Sequence, residues 1–296
     1  MKYKNLILSG GGTRGIYYLG LMKYFENYGI NTSDFKNLVG SSIGSFFISA
    51  IALGYSSEEL KEYAISILDY SRLKSLNILN FLDNLGFDEG DKLEHNIKRM
   101  IRNKIGNKSI TLLELYEKYD KNLTIPTVCL STRELIFLNK DTHPHVKLWK
   151  AIRMSLGVPF LFKPFLYKGN YYIDGGLKNN FPIDLYNTID TLGVCITSKK
   201  KEHNSFFNLE KLVISLIDIV TTNDYSRATQ DIIEISDSYS INDELLSFQP
   251  NLEENTIVKS IEYGYDKVEN YFKNRENSIE SFCKSLVLHL LDSITT

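Results

Sequence analysis

Three cysteines in 296 residues, at Cys129, Cys195 and Cys283, are few, odd in number and widely spaced. They provide neither a disulfide framework nor a metal-ligand cluster, and this fits a reducing compartment. Cys129 and Cys195 fall inside apolar runs and read as small buried hydrophobes. No stretch approaches the roughly 18 apolar residues of a membrane span. Met1 to Asn5 leads into a short apolar run that stops at glycines, without the apolar core and cleavage site of a signal peptide. The expectation is a soluble, cytoplasmic chain with peripheral membrane contact at most. Charge of one sign is also missing. The net charge is −2 and the pI is near 6.2, so no global basic field recruits nucleic acid. The run Lys199 to Lys201 reads as a solvated loop. What the chain does have is 43% hydrophobic and 24% charged residues, the balance of a folded globular protein.

The first fifty residues alternate between strand and helix signals. Tyr3 to Leu8 is an apolar strand candidate, followed by Gly10-Gly11-Gly12-Thr13-Arg14-Gly15. Ile16 to Tyr28 carries Leu19, Met22, Phe25 and Tyr28 on one helical stripe, with Gly29 as a stop. Leu38 and Val39 end a second strand, broken at Gly40, and Ile43 to Leu53 is an apolar helix closed by Gly54. Strand, glycine turn, helix, repeated twice, predicts a parallel sheet with crossover helices.

Farther on, Ser56 with Glu59 and Thr111 with Glu114 have capping-box spacing, each opening a helix. Asn122 to Ser131 and Leu135 to Leu138 read as paired strands, and Trp149 to Leu156 as a helix ended by Gly157 and Pro159. Phe165 to Ile173 reads as a hairpin turning at Lys168-Gly169-Asn170 and delivering the chain to Asp174. Leu192 to Thr197 reads as the last strand. Beyond Ser205 the signal is helical, with apolar stripes over Phe206 to Val220, Thr256 to Phe272 and Ile279 to Leu291. There is no internal repeat and no low-complexity linker. One α/β domain spanning 1–296 is predicted, with a core over about 4–200 and a helical C-terminal portion over about 205–296.

Gly40-Ser41-Ser42-Ile43-Gly44 is a G-x-S-x-G segment between a strand and a helix. Ser42 there occupies a sharp turn, and the helix N-terminus favours developing negative charge. Gly10 to Gly15 also matches G-x-G-x-x-G, a dinucleotide signature. That reading expects a ribose-binding carboxylate at the end of the second strand; Asp34 has the spacing but precedes its strand. A row of glycine amides beside a nucleophilic serine instead suits an oxyanion hole. Arg14 braces that loop, adds positive potential, or is an ordinary surface arginine. A serine nucleophile needs a base, ordinarily histidine. His95, His143, His145, His203 and His289 sit in no catalytic setting, with His143 the least implausible among them.

These motifs resemble the patatin-like phospholipase family, which combines a G-G-G-x-R/K-G loop, G-x-S-x-G and D-G-G or D-G-A. All three occur in order as Gly10 to Gly15, Gly40 to Gly44, and Asp174-Gly175-Gly176. Ala151 to Phe160, Asn179-Asn180-Phe181-Pro182 and Tyr263-Gly264-Tyr265 extend the resemblance over roughly residues 4 to 272. It implies a three-layer α/β fold with a mainly parallel sheet flanked by helices. It implies a lipid acyl hydrolase with Ser42 as nucleophile, Asp174 as base, and Gly10, Gly11, Gly12 and Arg14 around the oxyanion. Gly15, Gly40, Gly44, Gly175 and Gly176 are the motif glycines. Phospholipid or another acyl ester is the implied partner, no cofactor or metal is needed, and no activating protein is identified. Phe46 and Phe47 depart from the family pattern, being bulky where small residues are expected; either the packing differs or they reach the acyl pocket. Residues 55–120 and 200–255 match no part of it and would house a lid or membrane-contacting surface. Three alternatives stay open: an acyltransferase using the same serine, a Rossmann-like nucleotide-binding protein, and a catalytically silent lipid-binding scaffold, which the intact serine and aspartate disfavour.

Overall fold

The chain enters its core at once. Asn5–Leu8, strand β1, is buried along its whole length and lies between β2 (Asn37–Gly40) and β9 (Thr191–Thr197), parallel to both. In the computed structural model, residues 3–69, 85–186, 188–197, 231–236 and 254–295 are described, the side chains at 279 and 281–295 excepted. The sheet order is β10-β9-β1-β2-β4-β8-β7, with β5 also paired to β4. From β10 (Asp231–Ser236) to β4 (Asn122–Cys129) neighbouring strands are parallel. Past that point β5 (Glu134–Leu138), β7 (Phe165–Tyr167) and β8 (Asn170–Asp174) run antiparallel to their partners. A separate two-stranded pair joins β3 (Gly86–Asp88) to β6 (Phe160–Phe162).

Helices α1 (Tyr17–Asn27) and α2 (Ile43–Ala52) follow β1 and β2 as crossovers. Their apolar faces meet Leu6, Leu8, Leu38, Val194 and Ile196 of the sheet in one large core. The opposite face of the central strands presents Ile7, Val39 and Cys195, covered among the described residues by Phe181 and Ile183. Both predicted capping boxes are present, Ser56 opening α3 (Ser57–Leu68) and Thr111 opening α5 (Leu112–Tyr119). Between them lies α4 (Asp91–Ile105), closed by Gly106 in left-handed conformation. Thus most of the described part of 55–120, which matched no part of the family pattern, is helical and contributes Leu60, Ile97, Met100 and Leu115 to the core. The hairpin β7–β8 turns through Lys168 and Gly169, both at positive φ, which is the two-residue turn whose twist matches its strands. Helix α6 (Leu148–Ser155) precedes it.

The C-terminal portion departs from the sequence reading in two ways. Asp231–Ser236 forms β10, an added parallel edge strand in a region read as helical. Its apolar positions Ile232, Ile233 and Ile235 fit helical and extended spacing alike over so short a run. In addition, the stripes at 256–272 and 279–291 belong to one helix, α7 (Glu254–Thr295). The intervening Lys273-Asn274-Arg275-Glu276-Asn277-Ser278 contains neither glycine nor proline to break it. Helix α7 crosses α1 where two glycines meet: a Cβ on Gly20 would lie 2.2 Å from the Ile261 carbonyl oxygen, and one on Gly264 2.3 Å from that of Tyr17. Ring contacts Tyr17–Tyr263 and Tyr24–Phe272 flank the crossing. The stripe at 206–220, the lysines at 199–201, and His203 lie outside the described residues.

Candidate active site

Ser42 sits in the turn between the end of β2 and the start of α2, with φ 50° and ψ −126°. A side chain in that region of backbone space carries a strain of about 1–3 kcal/mol, so the surroundings must hold it. Its N–H donates to Ser155 Oγ at 3.0 Å, and its carbonyl accepts from the Ser45 N–H and the Ser45 hydroxyl. The turn is tight because Gly44 brings α2 onto the end of β1. A Cβ at Gly44 would fall 2.6 Å from the Leu8 carbonyl oxygen, and one at Gly40 would fall 2.4 Å from that of Gly44.

Asp174 ends β8, opposite Thr127 of β4. Its N–H donates to the Gly157 carbonyl at 3.0 Å. One carboxylate oxygen, Oδ1, accepts from the Gly176 N–H at 2.7 Å, and Oδ2 accepts the Ser42 hydroxyl at 2.5 Å. Both side chains are enclosed, Asp174 at 4% and Ser42 at 6% exposure. Burial pushes the Asp174 carboxyl up from 3.8 to about 7, while the hydrogen bonds from Ser42 and Gly176 pull the other way. Gly175 and Gly176 open a short 3-10 turn immediately after it.

The glycine loop lies against the serine. A Cβ at Gly10 would meet Asn180 Oδ1 at 2.2 Å and Ser42 Cβ at 2.9 Å. The Gly10 N–H donates to the Asn180 carbonyl at 3.1 Å. The loop continues into a 3-10 turn over Gly12–Ile16, whose Gly15 rests against Ile43. Arg14 folds back on the loop: its backbone N–H and its Nε both donate to the Gly11 carbonyl.

Phe46 and Phe47 are fully buried, and Phe47 packs edge-on against Tyr18 at 5.3 Å. Tyr18 in turn donates its hydroxyl to the Ser9 carbonyl at 2.8 Å. Phe47 therefore props, through Tyr18, the strand end that feeds the glycine loop. His143 lies in a turn, its ring against Thr142 Oγ1, with burial and nearby Lys168 lowering its pKa. Sequence reasoning passed over Ser155 and Asn180, although both lie in segments quoted for the family resemblance. Their roles depend on contacts across the fold, to Ser42 and to Gly10, that no local spacing encodes. Among the described residues, no group of His, Cys, Asp and Glu could hold a metal, and no helix is long and apolar enough to cross a membrane.

The family model for patatin-like phospholipase matches residues 6–186, more than half of the chain. The chain belongs to that family. It is thereby placed among lipid ester hydrolases with the patatin-like α/β fold. Protein R571 of Acanthamoeba polyphaga mimivirus is 30% identical over 276 residues, covering 89% of this chain and 90% of the relative. The probable lipid hydrolase 463L of Invertebrate iridescent virus 6 is 30% identical over 188 residues, with 62% of this chain and 63% of the relative covered. Among solved structures, VipD from Legionella pneumophila aligns with TM-score 0.55 at 16% identity, over 93% of this chain and 67% of its own. The type III effector ExoU aligns with TM-score 0.52 at 14% identity, over 93% of this chain and 54% of its own. At such identities these likenesses speak to the fold alone.

Proposed function

We propose that this protein is a phospholipase A-type acyl hydrolase working through Ser42 and Asp174. The observation that carries the reading is the 2.5 Å hydrogen bond from the Ser42 hydroxyl to Asp174 Oδ2 inside a buried, strained strand-to-helix turn. Ser42 Oγ attacks the ester carbonyl as its proton passes to Asp174. The tetrahedral oxyanion is held by the Gly11 and Gly12 amides, which open a 3-10 turn and have no acceptor within it. The Gly10 amide, engaged with the Asn180 carbonyl, fixes the loop rather than joining them. Asp174 returns the proton to the departing alcohol, leaving an acyl-serine. Water then gives its proton to the same carboxylate, attacks the acyl carbon and frees the fatty acid, and Ser42 regains its proton.

Aspartate at its ordinary pKa is a weak base for a hydroxyl; burial of Asp174 brings its basicity near neutrality. The phospholipid substrate is carried from the family, and the iridescent-virus relative's name supports a lipid more generally. We further propose that 1–296 forms a single domain.

The test is incubation of the purified protein with a defined phospholipid panel and mass spectrometry of the products. Free fatty acid and lysophospholipid are expected, with hydrolysis lost in folded Ser42→Ala and Asp174→Asn. Acyl transfer to an added alcohol in place of free acid would reassign the protein as an acyltransferase. Activity surviving in Ser42→Ala would refute the nucleophile, and activity surviving in Asp174→Asn would move the base to His143. Fluorophosphonate labelling of Ser42 is expected; protection by a dinucleotide without labelling would favour the nucleotide-binding reading.

A further inference from the structure

Three of the large exposed apolar side chains stand in one row. Leu166 and Tyr171 are register partners across the β7–β8 hairpin. The β4–β8 register, Cys129 opposite Tyr172, continues one step further, where the Leu130 N–H donates to the Tyr171 carbonyl at 2.8 Å. Directly opposed residues of antiparallel strands point to the same face. Leu130, Tyr171 and Leu166 therefore form a continuous apolar row across three strands, exposed by 43%, 47% and 57%. The other face of the same hairpin is used in the core, where Phe165 packs edge-on against Trp149.

The row's position ties it to the candidate active site. β4 runs parallel to β2, whose end leads into Ser42, and Asp174 is level with Thr127. Leu130 is three residues farther along, so the row stands about 10 Å beyond Asp174 along the strand direction. Its surroundings are mainly basic. Lys168 occupies the hairpin turn two residues after Leu166, and Arg133 lies in the turn just past Leu130. The Lys178 ammonium donates to the Arg133 carbonyl at 2.7 Å. All three cations are exposed, and the exposed Glu134 adjoins Arg133 in sequence.

We infer that the Leu130–Tyr171–Leu166 row is the surface by which this protein docks on an anionic phospholipid bilayer. Apolar side chains ringed by cations, with tyrosine among them, suit the boundary between head groups and acyl chains. A protein partner would use the same apolar area without needing the basic rim. The inference rests on the proposed lipase reading, since it supplies the route by which a bilayer substrate meets Ser42.

The experiment compares wild type with Leu130→Ser/Leu166→Ser in sedimentation with phosphatidylcholine vesicles containing phosphatidylserine. Hydrolysis of vesicle lipid and of a short-chain soluble ester is measured in parallel. The double variant is expected to lose roughly tenfold or more in vesicle binding and vesicle hydrolysis, with soluble-ester hydrolysis unchanged. A second variant, Arg133→Glu/Lys168→Glu, leaves the apolar row intact. It should weaken binding to the anionic vesicles selectively and blunt its dependence on salt. Unchanged vesicle binding in both variants would overturn the inference. So would a wild-type dimer that the serine variant dissociates, which would make the row a contact between copies. Absence of soluble-ester hydrolysis in wild type would instead strike the proposed reaction and leave the binding result to stand or fall separately.

Discussion

Replacing Asp174 by asparagine should make the protein inactive and, above neutral pH, more stable. The carboxyl has a pKa of about 7 in the folded chain against 3.8 outside it, because burial disfavours the charged form. Between those values the folded state keeps a proton that the unfolded chain has released. Stability therefore falls as pH rises through the window, by about 1.36 kcal/mol per unit. From pH 5 to pH 8 the two units below pH 7 cost about 3 kcal/mol, a penalty that asparagine does not incur. For a chain of this size that is a shift of roughly 5 °C or more in melting temperature. Thermal melts of wild type, Asp174→Asn and Ser42→Ala at pH 5 and pH 8 measure it, the asparagine variant gaining on wild type at the higher pH. Wild-type activity should move the opposite way and rise through about pH 7 as the base ionises. A melting difference equal at both pH values, together with activity already full at pH 5, would refute an Asp174 with raised pKa.

Ser155→Ala removes the acceptor of the buried Ser42 N–H and should cost about 1–3 kcal/mol, with slower fluorophosphonate labelling of Ser42 as the site-specific readout. Gly44→Ala places a methyl against the Leu8 and Ser9 carbonyl oxygens and should abolish soluble expression or labelling. Thr111→Ala, remote from Ser42, breaks a capping box and should lower stability by about 1 kcal/mol in denaturant titration while leaving turnover unchanged.

The sequence exposed the first two crossover units because their apolar periodicity, glycine breaks and caps are all local signals. The central hairpin was legible for the same reason, with Lys168-Gly169 supplying its turn. The three-residue strands β3 and β6 are too short to carry a period, and β10 is an edge strand whose isoleucines suit either conformation. At the candidate site, the motif residues were visible as types at fixed spacings. Ser155, Asn180 and the Phe47–Tyr18 support were not, because each acts on a partner far along the chain. The hydrogen bond between Ser42 and Asp174 spans 132 positions, and only the closed fold brings its ends together.

The glycine-to-glycine crossing of α1 and α7 has a bearing on where this protein can be cut. The family signature ends at residue 186, yet α1, which continues from the glycine loop, is buttressed by a helix that begins at Glu254. Tyr28 reaches Glu269 and Asp231 gathers Tyr3, Tyr271 and Arg275, so first strand, last strand and last helix are fastened to one another. A fragment trimmed to the recognisable motif would keep every residue of the proposed chemistry and lose the back wall behind the glycine loop. The smallest working unit is then defined by packing, and it reaches well beyond the stretch by which the family is recognised.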